Sequence, residues 1–226
     1  MGTALGMATA LSRADHEGFA AFLLRIRAAG ISNHPLETAI ESVTRRVFVD
    51  PAYHGAVWGS RGIPIDCGEV LEGLDQQAMM IDRLELSNDH RVLEIGTGSG
   101  YSAAIMAKLA KRVFTIERFK RLHASASETL RQLEIENVVC SHASAETDLP
   151  ALEGPFDRII CWAAYDELPR AFSEQLTSGG KIICAVGEAD KPQILLRLTK
   201  VGSRFEREDI GVVRMQMIKS GLPETL

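Results

Sequence analysis

The run Val92-Leu-Glu-Ile-Gly-Thr-Gly-Ser-Gly-Tyr101 constrains this chain more than any other stretch. Apolar residues at Val92, Leu93 and Ile95 lead into glycines at 96, 98 and 100, and a helix-forming stretch follows from Ser102. The order is strand, tight turn, helix. Glycine takes positive φ without strain and leaves main-chain N–H groups open to a ligand. From Arg91 onward, strand-like and helix-like stretches alternate, which demands a mostly parallel sheet with helices on both faces. Strands are predicted at 91–95, 112–117, 137–141, 156–162 and 181–186. Helices at 101–110, 119–133 and 167–176 separate most of them, and Gly179-Gly180 is expected to end the last helix. Two further strands, 193–200 and 210–218, have no helix between them and are expected to pair antiparallel around Gly202.

Upstream, Phe19, Phe22, Leu23 and Ile26 recur at helical spacing with Gly30 as a stop, so a helix is predicted over 15–29. A second begins after Ser32 and Asn33, carries Pro35 in its first turn and runs to about Val43. Between Asp50 and Gly73 the pattern breaks up, and a long irregular segment inside a compact domain is usually functional or disordered. Asp75 is expected to cap a helix carrying Ala78, Met79, Ile81 and Leu84. The fold class is therefore α/β and Rossmann-like. A mostly parallel, doubly wound sheet ends in antiparallel strands and is preceded by a helical cap. Residues 1–14 read as a flexible tail and 15–226 as one domain, with the cap over 15–90 and the sheet core over 91–226.

The glycine spacing chooses between ligands. A dinucleotide fingerprint is Gly-x-Gly-x-x-Gly with the third glycine inside the helix. Here Tyr101 stands where that glycine belongs, and Glu94 puts a carboxylate where a diphosphate would need none. An acid suits a cation. S-adenosylmethionine has a sulfonium, an ammonium and a ribose but no phosphate, and it fits such a loop. Glu117, at the end of the next strand, is placed to accept hydrogen bonds from both ribose hydroxyls.

Composition removes other classes. At 226 residues the chain suits one α/β domain, in which roughly 70% of the unfolded surface is buried. A net charge of −5 leaves no basic footprint for nucleic acid. Lys108, Lys111, Arg112, Arg118, Lys120 and Arg121 read as solvated helix faces. No apolar run reaches membrane-helix length, and the start lacks a basic signal-peptide region, so no membrane partner and a cytoplasmic location are expected. Cys67, Cys140, Cys161 and Cys184 form no Cys-x-x-Cys pair and the histidines are scattered, which implies no metal.

With these residues placed, the chain resembles the protein-L-isoaspartate O-methyltransferase family over about residues 20–220. The resemblance is carried by Arg27-Ala-Ala-Gly-Ile31, Arg46-Val-Phe-Val49, Gly62-Ile-Pro-Ile65 with Gly68, and Val92 to Tyr101. Phe114-Thr-Ile-Glu-Arg118, Phe156-Asp-Arg-Ile-Ile160, Gly180 and Val186-Gly187 complete the series. It implies a methyltransferase that takes S-adenosylmethionine and esterifies the α-carboxylate of isoaspartyl residues in peptides and proteins. For the cofactor it implies Val70, Leu71, Glu94 and the turn Gly96, Thr97, Gly98, Gly100 and Tyr101. Glu117, Arg118, Ser144 and Ala145 complete that group, and Gly68, Trp162 and Ala163 are implied for the acceptor cleft.

Three positions depart from the family pattern. Glu72 stands at the family's serine, which touches cofactor and acceptor. A carboxylate about 4 Å from a substrate carboxylate costs roughly 1 kcal/mol in water and about 4 at an effective dielectric of roughly 20. Glu72 escapes this by protonation, by turning to solvent or by meeting a cationic acceptor. Ser144 replaces an acid near the adenine amine, at a cost of about 1 kcal/mol. Trp162 replaces a small polar residue, either as core filling or as a platform narrowing the acceptor cleft. Two alternatives stay open: a different acceptor, including a small molecule, and a cofactor-binding module without catalysis. The oligomeric state is not legible.

Overall fold

The computed structural model describes residues 12–148 and 153–223; most of the expected tail, residues 1–11, lies outside them. Ser12 is instead an N-cap: its Oγ accepts from the Asp15 main-chain N–H at 3.2 Å, so α1 (Arg13–Ala28) starts earlier than the apolar spacing implied. Phe19, Phe22 and Ile26 form its buried stripe. Asn33 caps α2 (His34–Ser42), with Oδ1 accepting from Leu36 N at 3.1 Å and Pro35 in the first turn.

The segment between Asp50 and Gly73 is irregular but built. It contains 3-10 turns at Pro51–Ala56 and Asp66–Gly68, and a small antiparallel pair of β1 (Ile63–Pro64) with β2 (Val70–Leu71). The β1–β2 connection turns at Cys67 (φ 62°) and Gly68 (φ 74°), and left-handed backbone at a cysteine is uncommon. The next helix, α3 (Leu74–Arg83), is not capped by Asp75. Gly73 is the N-cap residue, and Asp75, inside the first turn, instead binds the Arg25 guanidinium at 2.8 Å. Of the face expected on this helix, Ala78 and Ile81 are buried within it and Leu84 just beyond it; Met80 is fully buried in place of Met79.

The sheet core begins with β3 (Arg91–Ile95) and continues through α4 (Tyr101–Ala107), β4 (Arg112–Glu117), α5 (Lys120–Gln132) and β5 (Val138–His142). After these come β6 (Phe156–Tyr165), α6 (Ala171–Gln175), β7 (Leu176–Val186), β8 (Gln193–Val201) and β9 (Arg204–Val213). Seven strands lie in the order β5-β4-β3-β6-β7-β8-β9, parallel up to β7 and antiparallel across β7-β8-β9. Alternation along each strand builds two cores. Val92, Val113, Ile160 and Ile183 face the N-terminal helices, whereas Leu93, Ile95, Ile159 and Ile182 pack with Phe172 on the other side.

Three sequence expectations need correction here. Helix α6 is shorter than the predicted 167–176, because Pro169 lacks an N–H and holds its predecessor out of helical backbone. Gly179-Gly180 does not end that helix; both glycines lie inside β7, where pairing jumps from Phe156↔Leu176 to Arg158↔Lys181 and Gly179 takes φ 77°. This is a bulge. The last strand is 204–213 and not 210–218. Its exposed Glu206, Arg207 and Glu208 look loop-like in sequence, yet charge is what an edge strand tolerates. Residues 214–221 then form a strap across the carboxyl ends of the strands. The strap is held by Ala164 N donating to Gln216 O and Ile218 N to Ala164 O, each at 2.8 Å.

Candidate active site

The glycine turn sits where a parallel sheet of this type collects ligands, at the carboxyl ends of its strands. Main-chain N–H groups of Gly96 and Thr97 donate to Ile116 O on β4 at 3.0 and 3.2 Å, which locks the turn across two strands. Gly96, Gly98 and Gly100 take φ of 90°, 53° and 89°. Space as well as backbone demands glycine: a Cβ at 98 would stand 3.3 Å from Ile65 Cδ1, and one at 100 would stand 3.2 Å from Ala126 Cβ.

Parallel register places Glu94 beside Thr115 on one face of the sheet. The Glu94 carboxylate has no exposed surface and accepts from Ser102 Oγ (2.6 Å), Thr115 Oγ1 (2.6 Å) and Trp162 Nε1 (2.8 Å). Burial pushes it up to about 7, while the three donors pull the other way. Glu94 is thus held beneath the turn and does not line the cleft. Trp162 both lines the cleft and anchors this carboxylate, so the two readings of its ring are one arrangement. Glu117 ends β4 at the cleft, 5% exposed, its Oε2 accepting from Gly98 N and its Oε1 from Phe119 N, both at 2.9 Å.

The cleft opens between the glycine turn, the 50–73 segment and the strap. Ile116, Phe119, Leu122, Ala143 and Ala145 make an apolar wall; Gly96, Thr97 and Gly98 make another. Val70, Leu71 and Glu72 bring the 50–73 segment in from above, and Trp162 and Ala163 border the far side. Arg118 lines it too, with its Nε donating to Gly221 O at 3.1 Å. Gly68, Gly100, Tyr101 and Ser144 stand apart from the lining. The Gly68 carbonyl accepts from Gln216 Nε2 on the strap at 3.1 Å. Tyr101 is buried against Phe48 and under the Arg45 guanidinium, 5.1 Å from its ring centre. Ser144 donates its N–H to Asp148 Oδ2 at 2.7 Å, and its own Oγ is buried without a protein partner.

Several lining residues escaped sequence reasoning. Glu69 and Gln77 are polar walls, and Gln216, Met217, Ile218 and Lys219 come from the strap. No local pattern marks the strap, because its backbone is set by long-range bonds to Ala164. Arg45 was also missed. Fully buried, it donates to Val57 O (2.9 Å), Glu72 O (2.5 Å) and Gln77 Oε1 (3.0 Å), pinning the backbone above the cleft. Glu72 is half-buried, and among the described residues no side-chain donor or cation reaches its carboxyl, which burial pushes up to about 8. No cluster of three metal-ligating side chains occurs among the described residues, and no described helix is long and apolar enough to cross a membrane.

The described residues fit S-adenosylmethionine. Gly96 and Gly98 give close main-chain approach, the wall beside Glu117 is apolar, and the Glu117 carboxylate at the strand end is unsuited to a diphosphate.

Comparison with known proteins agrees. Residues 20–218 match the family described as protein-L-isoaspartate(D-aspartate) O-methyltransferase (PCMT). A protein-L-isoaspartate O-methyltransferase of Rhizobium meliloti (strain 1021) is 41% identical over 83% of this chain and 91% of its own. One from Rhodopseudomonas palustris (strain BisA53) is 38% identical over 91% and 95%. Among solved structures, a putative protein-L-isoaspartate O-methyltransferase of Plasmodium falciparum in complex with S-adenosyl-L-homocysteine superposes with a TM-score of 0.77. It covers 88% of this chain and 97% of its own at 23% identity, a likeness of fold. The chain belongs to the protein-L-isoaspartate O-methyltransferase family.

Proposed function

We propose that this protein transfers a methyl group from S-adenosylmethionine to the carboxylate of an isoaspartyl residue in a peptide or protein, and that residues 15–226 act as one catalytic domain. The observation that carries the reading is the cleft at the glycine turn, acidic where a phosphate would need cations and closed by the strap. The cofactor supplies an electrophilic methyl on a positively charged sulfur. Gly96, Thr97 and Gly98 hold its amino-acid portion, Glu117 accepts from the ribose hydroxyls, and Ile116, Phe119, Leu122 and Ala145 enclose the base. Arg118 borders that pocket, and Ser144 sits behind it between the lining residues Ala143 and Ala145. Val70 and Leu71 close over the cofactor, and Trp162 and Ala163 shape the acceptor side and exclude water. A carboxylate nucleophile is already an anion near neutral pH, so the protein needs no general base; its work is alignment and desolvation. The four cysteines are free thiols, which suits a reducing cytoplasm.

The test compares an isoaspartyl peptide with its aspartyl twin, reading S-adenosylhomocysteine release, alongside calorimetric titration with S-adenosylmethionine and with NAD. Transfer confined to the isoaspartyl peptide is expected. Cofactor binding without transfer to that peptide overturns the acceptor, and binding of NAD alone overturns the cofactor.

A further inference from the structure

We propose that Glu72 is the acceptor-binding group of the cleft and works as a neutral acid, its O–H donating to the substrate carboxylate. This rests on the isoaspartyl reading above and names the side chain that selects for it.

The geometry comes first. Three independent contacts fix the backbone at this residue. Arg45 Nη2 donates to its carbonyl at 2.5 Å, and Leu74 N donates to Gly59 O at 3.1 Å. Gly73 lies so close to the Ser60 carbonyl that a Cβ would stand 2.0 Å from its oxygen. The main chain that carries Glu72 is therefore held at the edge of the cleft. Glu72 lines the cleft together with Gln77 and Trp162, and its carboxyl has no side-chain partner among the described residues. Glu94, beneath the same turn, has three, and Glu117 has two main-chain donors. The carboxyl accepts from its own main-chain N–H, and the bonding capacity left over faces the cleft, where a ligand can use it.

The charges around it set its form. Glu69 lies on the same segment, Asp75 on α3, Glu94 beneath the turn, Glu117 at the end of β4 and Arg118 just after it, while Lys219 comes from the strap. Arg45 meets the main chain of Glu72 and forms no ion pair with its carboxyl. Burial, helped by Glu69 and Glu94 and opposed by its own main-chain N–H and the Arg45 charge, holds the carboxyl up at about 8, so it is mostly neutral at pH 7. A neutral acid facing an anionic carboxylate makes a short charge-assisted hydrogen bond, whereas two anions there repel. An amine acceptor fits less well. It would be bound as an ammonium, which has no lone pair with which to attack the methyl.

The experiment is the pH dependence of kcat/KM for an isoaspartyl peptide in wild type and Glu72→Gln, from pH 6 to 9.5. The product ester is base-labile, so S-adenosylhomocysteine is measured. The competent form is the protonated one, so wild-type activity should be full below about pH 8 and fall towards tenfold per unit above it. Glu72→Gln keeps a weaker donor and no titration; it should lose about tenfold at pH 6.5 and show no alkaline limb. A wild type without that limb, the same limb in Glu72→Gln, or a variant faster than wild type at pH 6.5 overturns the assignment while leaving the acceptor reading intact. Transfer by neither enzyme at any pH, with S-adenosylmethionine binding retained, overturns the acceptor reading and Glu72's role with it.

Discussion

Two carboxyls at the same end of the sheet are both raised above the ordinary 4.5, to about 7 at Glu94 and about 8 at Glu72, and they do opposite things. Beneath the turn, Glu94 is saturated by Ser102, Thr115 and Trp162, so its charge is spent on holding β3, β4, α4 and β6 together. Above the cleft, Glu72 sits on a pinned backbone, and among the described residues no side chain answers its carboxyl. A displaced titration therefore does not tell a structural acid from a ligand-binding one. The count of donors already in place does.

The contrast can be broken in order of expected size. Glu94→Ala strips the acceptor from three buried donors, at about 1–3 kcal/mol for each group left unsatisfied, so a loss of about 3–5 kcal/mol is expected by denaturant unfolding. Cofactor affinity should fall at least tenfold in calorimetry, and an unchanged unfolding midpoint would show that Glu94 is not the anchor. Gly73→Ala forces a Cβ against the Ser60 carbonyl at 2.0 Å and should cost about 1–3 kcal/mol. Because it shifts the backbone beside Glu72, methyl transfer should suffer more than cofactor binding. Equal losses in both would mean that the upper segment is not specific to the acceptor. Trp162→Phe keeps a ring on the cleft wall but removes the Nε1 donor to Glu94, for an expected loss of about 1–2 kcal/mol.

A further contrast lies in the pH dependence of stability. Both folded-state values lie above the ordinary 4.5, so the protons these acids hold favour the native state. That contribution is full below about 4.5 and is lost as pH rises through about 7 for Glu94 and about 8 for Glu72. Each group adds a slope of at most about 1.4 kcal/mol per pH unit within its window. Unfolding of Glu72→Gln at pH 5, 6.5 and 8 should show a shallower decline than wild type. Parallel curves would mean that Glu72 titrates alike in the folded and unfolded chain.

Most of the sheet was legible because its signals are local. Val92 to Gly100 spells strand and turn within ten residues, and β4 and β8 follow from apolar runs. Where local signals compete, the reading failed: Pro169 shortened α6, Gly179-Gly180 proved a bulge within a strand, and charged 206–209 hid an edge strand. The site divides the same way. Gly96, Thr97, Gly98 and Glu117 line the cleft as the turn and strand end suggest, and Tyr101, implied for the cofactor, is turned into the cap against Phe48 and Arg45. Gln216 to Lys219 had no signal, because a strap is defined by what it crosses.

By itself, the sequence determined the strand–turn–helix at 92–107, the acids flanking it and the family. Each of these rests on residues close along the chain, where backbone geometry and side-chain spacing are set by neighbours. Tertiary structure alone decided which acid is used up and which is left for a ligand. Glu94 is answered by Thr115 and Trp162 only because parallel pairing brings β4 and β6 to either side of β3. Among the described residues no side chain answers the Glu72 carboxyl, because the Arg45 guanidinium meets its main-chain carbonyl instead.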